Sequence, residues 1–165
     1  MGVLEPHGRG HWLFRRAALS EDAPVVIIHS LAHAVAALSA AAQVGRPIVL
    51  ASAPGAGIYA GSGWFREMVR AAREAVPEAQ FSAILDCGDD AGAAMAAIRA
   101  PLAAIVFTGR ADVAARLGDI AEQSGATLLT ERPVVVLDLG ASFFADNESL
   151  RRRCLDALAS LAAFC

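Results

Sequence analysis

No lysine occurs in this 165-residue chain; all 14 basic residues are arginine. Schiff-base chemistry and the lysine-bearing phosphate loop are therefore excluded. Histidine is sparse, with four in all and none beyond His33. Cys87, Cys154 and Cys165 are too few and too scattered for a disulfide framework. No apolar run reaches the ~18 residues of a membrane span. The opening MGVLEPHGRGHWLFRR lacks the charged-then-apolar order of a signal peptide. The expectation is a cytoplasmic protein with no membrane partner. A net charge of −3 argues against a general nucleic-acid surface.

What the chain has in abundance is apolar surface. Hydrophobic residues make up 56% and charged ones 19%. A chain of this length can bury roughly 70% of the surface it exposes when unfolded. Apolar runs alternate with amphipathic stretches. Strands are expected at 24–29, 48–52, 81–86, 103–108, 126–129 and 134–138. Helices are expected at about 31–44, 64–76, 91–99, 112–124 and 148–164. The strands are continuous apolar runs, as in parallel sheets covered on both faces. The class is α/β, with alternating β/α units and a mostly parallel sheet. Residues 1–23 form an N-terminal arm carrying the apolar triplet Trp12-Leu13-Phe14, and 24–165 form one domain. The last helix carries an apolar stripe of Leu150, Cys154, Leu155, Leu158 and Leu161.

Sites in parallel sheets form at the carboxyl ends of strands. Those ends here carry His29-Ser30, Ser52-Ala53-Pro54-Gly55, Asp86-Cys87-Gly88-Asp89 and Thr108-Gly109-Arg110. Each has a plain structural reading beside the chemical one. Cys87 is either a nucleophile at a helix start or a small filler, and three neighbouring carboxylates oppose a thiolate. Asp89 or Asp90 suits the cap of the next helix. The APGAG loop at 53–57 either cradles a phosphate with backbone N–H groups or makes a tight turn. Asp86, as a rim carboxylate, should tolerate Asp86→Asn at a cost of about 1–2 kcal/mol at most.

The order of motifs carries a resemblance. HSLAHAVAALSAAAQVGRPIVLASAPGAGIYAG followed by WFREMVRAAREAVPEAQFSAILDCGDD resembles the class II, metal-dependent ketose-bisphosphate aldolases from about Val25 to Gly109. The resemblance implies an eight-stranded barrel of about 250 residues, of which this chain has room for part. The expected architecture is therefore an aldolase-like partial barrel or an open three-layer sandwich. The family's L-D-H-G-D reads L-D-C-G-D here, so Asp86 matches the catalytic acid/base and Cys87 stands at a zinc-binding histidine. The strand-one asparagines fall on His29 and Ser30, and the strand-two serine falls on Ala53 with Ser52 one residue early. The D-G-S phosphate motif reads Thr108-Gly109-Arg110. Asp86, Gly88, Asp89, Tyr59 and Gly61 are retained, whereas the metal-binding histidines are not. A catalytic zinc needs about three protein ligands, so no metal, no cofactor and no metal-dependent aldolase activity are expected.

Two functions follow. One is a non-catalytic aldolase-related protein that binds a small molecule, such as a phosphorylated metabolite, or a protein partner at the strand ends. The other is a metal-independent lyase or isomerase using Asp86 as general acid/base, with Cys87 or His29 as helper. Ligand-binding candidates are Ser30, Ser52, Gly55, Gly57, Tyr59, Gly61, Gly88, Asp89, Thr108 and Gly109. A partial barrel leaves sheet edges, so a homodimer or higher homo-oligomer is expected, built from the arm, the last helix or an edge.

Overall fold

The computed structural model describes residues 22–100 and 102–162. The triplet Trp12-Leu13-Phe14 lies outside them. Six strands form one sheet: β1 (Val25–Ile28), β2 (Ile48–Ser52), β3 (Phe81–Asp86), β4 (Ala104–Val106), β5 (Thr127–Leu129) and β6 (Val135–Asp138). Every pairing is parallel, in the order β5-β4-β3-β2-β1-β6. The helices are α1 (Leu31–Val44), α2 (Ala56–Tyr59), α3 (Ser62–Ala75), α4 (Ala91–Arg99), α5 (Ala111–Gln123) and α6 (Asn147–Ala162). Sequence periodicity missed the one-turn α2 and a 3₁₀ turn at Gly140–Ser142.

From β1 to β5 each strand is laid beside the last in the same direction. Right-handed crossovers repeated in one direction put every connecting helix on one face. The core is divided accordingly. One cluster joins Val26, Ile28, Leu50, Leu85 and Ile105 to the buried faces of all six helices. The alternate strand residues Val25, Ile27, Val49, Ala51, Ile84, Ala104 and Val106 form a second cluster with no helix in it. This is the partial-barrel arrangement rather than the three-layer sandwich. Period-two alternation is present, but both sides are apolar and so it is invisible in the sequence.

The β5-to-β6 connection forces the curl. In a flat sheet these edge strands would stand five spacings apart, about 24 Å, and the chain must also return along the strand axis. Residues 130–134 give six Cα steps, which reach about 22 Å at full extension. The sheet must bend until its edges approach, and the short segment crosses the concave face. β6 then pairs with β1, and α6 lies on α1. The expected stripe of α6 is used there: Leu150, Cys154 and Leu158 are buried. Alanines 34, 36, 37, 40 and 41 line the buried face of α1 and let its neighbours come close. Gly45 ends α1 in the left-handed region (φ 64°), where its N–H reaches the carbonyls of Ala41 and Ala42.

Candidate functional site

The carboxyl ends of β1, β2, β3 and β6 bring two clusters to one rim. The first is centred on Asp86, at the end of β3 on the concave side. Its Oδ1 accepts the backbone N–H groups of Gly55 (2.9 Å) and Gly88 (2.8 Å). Arg132, in the crossing segment, donates from Nε to Oδ2 at 2.6 Å and from Nη2 to Oδ1 at 3.3 Å. Asp86 is 5% exposed. A rim carboxylate was expected; the curl of the sheet and the guanidinium above it make this one a buried, paired group. The same ion pair raises the pKa of Arg132. Both turns that hold the carboxylate use glycine in the left-handed region, Gly55 at φ 71° and Gly88 at φ 54°.

Ser52 is buried beside this knot. Its Oγ accepts the Asp86 backbone N–H at 2.9 Å and donates to the Ala53 carbonyl at 3.1 Å. It therefore steadies the main chain of Asp86, not its carboxylate. Cys87 points the other way, into the helical core, and is fully buried. Burial, with the charges of Asp86 and Asp90, pushes its thiol up to about 12. At neutral pH it is a thiol, without the thiolate that nucleophilic attack or metal binding requires. A Cβ at Gly57 would lie 2.7 Å from the Cys87 sulfur, so α2 packs directly on it.

The space left between Asp86 and the crossing segment is a cavity of about 30 Å³, lined by Ile27, Ala51, Ile84, Val106, Arg132 and Pro133 among others. That is room for one or two water molecules. The loop expected to cradle a phosphate has its Gly55 N–H turned inward to Asp86. Thr108 and Gly109 lie beyond, with the Thr108 N–H bonded to the Gly88 carbonyl at 2.7 Å and Gly109 stacked over the Phe107 ring. Asp90, not Asp89, caps α4 through Ala93 N–H (2.8 Å). Gly61 starts α3, and Tyr59 is 70% exposed.

The second cluster lies where β1 and β6 end. His29 Nε2 is 2.7 Å from Asp138 Oδ1. A carboxylate only accepts, so this nitrogen carries the proton. Gly140 N–H also donates to Asp138 at 2.8 Å. Burial works against the Asp138 charge, but these two donors outweigh it and hold the carboxyl below its usual range. Ser30 caps α1, its Oγ accepting His33 N–H at 3.3 Å. His33 Nδ1 accepts the His29 backbone N–H at 3.2 Å. Its ring is fully buried, and Nε2 has no hydrogen bond of ordinary geometry. Burial first, then the neighbouring His29, lowers its pKa.

His29 and Asp86 thus belong to separate clusters. Arg132 and Asp138 went unremarked in the sequence. Asp138 ends an apolar strand as Asp86 does, and that rule could have found it. Arg132 follows a strand only at a distance, and its role depends on the crossing. Among the described residues no three His, Cys, Asp or Glu side chains group as metal ligands do. The zinc of the aldolases does not fit here: the residue in the histidine position is a buried thiol behind Gly57. Among the described residues no helix is long and apolar enough to cross a membrane.

No protein-family model matches the chain, and no curated protein matches it in sequence. Solved structures do. A protein assigned as a fructose-1,6-bisphosphate aldolase from Coccidioides immitis superposes with a TM-score of 0.53 at 18% identity, over 64% of this chain and 39% of that one. A protein assigned as a tagatose 6-phosphate kinase from Sinorhizobium meliloti 1021 gives 0.48 at 16% identity, over 86% of this chain and 46% of that one. The first likeness supports an aldolase-like fold. The chain spans about two-fifths of that aldolase's length.

Proposed function

We propose that this chain is a non-catalytic relative of the class II aldolases that acts by binding a partner at its carboxyl-end rim. One observation carries the reading: four donors, two of them from Arg132, already occupy the carboxylate that matches the family's acid/base. A general base must reach a substrate proton with a free lone pair. Arg132 Nε takes Oδ2, the oxygen that the two glycine turns leave free, and the neighbouring pocket admits one or two waters. Cys87 offers neither a thiolate nor access. The former reaction centre has become an internal brace.

The test is cleavage of fructose 1,6-bisphosphate and related ketose phosphates, with and without added zinc, by the wild type and by Arg132→Ala. No turnover above background is expected from either protein. Turnover by the wild type that Asp86→Asn abolishes would make the chain an enzyme and end the proposal.

A further inference from the structure

Ten large hydrophobic side chains are exposed among the described residues, and six of them crowd one end of the molecule. Leu31 opens α1, Ile58 and Tyr59 form the end of α2, Trp64 is in the first turn of α3, and Phe143 and Phe144 follow the 3₁₀ turn after β6. Each belongs to the segment that leaves the carboxyl end of β1, β2 or β6. These strands are neighbours in the order β2-β1-β6, so the six share one side of the rim. Phe143 packs edge-on against His33 at 5.7 Å and against Phe144 at 5.2 Å. Ile58 leans back toward the Gly55 and Gly88 turns, where its Cδ1 would meet an added Cβ at 3.9 and 3.3 Å. Val44, Ile120, Val134 and Val135 lie toward the opposite end.

Exposures of 42% for Trp64, 70% for Tyr59 and 97% for Phe144 leave the six side chains with on the order of 700 Å² open to water, taking ~150–250 Å² for a whole aromatic side chain. Monomers rarely leave an apolar patch larger than ~300–600 Å². A standard interface buries ~800 Å² on each partner. The area therefore matches one side of a protein–protein contact. Charges of both signs stand at its Phe144 end: Asp138 pairs with His29, and Glu148 with Arg151 and Arg152, so no basic patch is there to hold an anionic membrane surface. We infer that the occupant is a second copy of this chain, its rim set against the first about a two-fold axis, which presents one self-complementary patch twice. The inference rests on the reading of the rim as a binding surface and names its partner. It differs from assembly through an arm, an edge or the last helix, whose stripe α1 already covers.

The experiment is sedimentation equilibrium of the full chain from 1 to 200 μM, both figures on the order set by micromolar dissociation constants. The wild type is compared with Tyr59→Asp, Phe144→Asp and, as a control at the opposite end, Val134→Asp. Circular dichroism establishes that each variant is folded; Phe144 and Val134 are 97% and 88% exposed, so both should be. The expected wild type is a dimer of twice 17.1 kDa. Each rim variant should raise its dissociation constant at least tenfold more than Val134→Asp does. A wild-type monomer throughout, or a dimer on which the rim variants act no more than the control, overturns the inference. A monomer without turnover removes this inference alone, whereas turnover that Asp86→Asn abolishes removes the non-catalytic reading.

Discussion

Asp86 and Asp138 end β3 and β6 of the same sheet, each accepts a backbone N–H and a side-chain donor, and yet they differ in kind. The Asp86 side chain is 7% exposed and the Asp138 side chain 53%. Asp86 lies in the middle of the rim, where two left-handed glycine turns and the crossing segment enclose it. Asp138 lies on the edge strand, open to solvent on the side that no strand covers. Removing one partner from a buried pair leaves an uncompensated charge or orphaned donors, whereas water replaces a lost partner at the surface. Position in the sheet, more than residue type, decides whether a carboxylate at a strand end is a brace or a loose contact.

The sharpest way to break this contrast is Asp86→Asn, which sets an amide N–H₂ against the Arg132 donors. Chemical denaturation should show a loss of about 2–3 kcal/mol, above the cost expected of a rim carboxylate but limited because the Arg132 side chain left behind is 47% exposed. A loss below about 1 kcal/mol would make the two carboxylates equivalent.

Acidification should act first at the other cluster. The folded-state pKa of His33 lies below its ordinary 6.5, so the unfolded chain takes up a proton that the folded one refuses. The stability from this group is complete above pH 6.5 and declines as pH falls toward the lowered value, by at most about 1.4 kcal/mol per pH unit. Asp138, lowered from 3.8, adds its loss only below that pH. Melting temperature measured between about pH 7.5 and 3 should fall in these two stages. His33→Asn should flatten the upper one; an unchanged upper stage would assign it elsewhere.

The smallest effect is expected from Asp138→Asn at neutral pH, under about 1 kcal/mol, as for exposed ion pairs. A loss as large as that of Asp86→Asn would place the His29 contact among the braces.

Much of the fold was legible in the sequence. Strands and helices stood out because apolar runs and helical stripes alternate, with Gly45, Pro77, Pro101 and Gly125 as punctuation. The curl was not legible, because it follows from the reach of residues 130–134 together with the pairing of β6 to β1. The strand-end rule found Asp86, Ser52 and His29 on the rim. It could not see that Arg132, 46 positions along the chain, would cover Asp86, nor that His29 would turn to the last strand. Cys87 was read as a nucleophile or a filler; its burial under Gly57 depends on α2, a single turn too short for a periodic signal.

The pairing of β6 with β1 has a consequence for the birth of the molecule. Val25 and Val135 face each other across about 110 residues of chain. At ~5–20 residues per second, a ribosome needs on the order of 5–20 s to deliver the last strand after the first has emerged. Throughout that interval β1 has an unpaired edge, and the alanine face of α1 awaits α6. Contacts so distant in sequence also slow the final closure. The nascent chain is most exposed to mispairing with its neighbours just before β6 and α6 arrive.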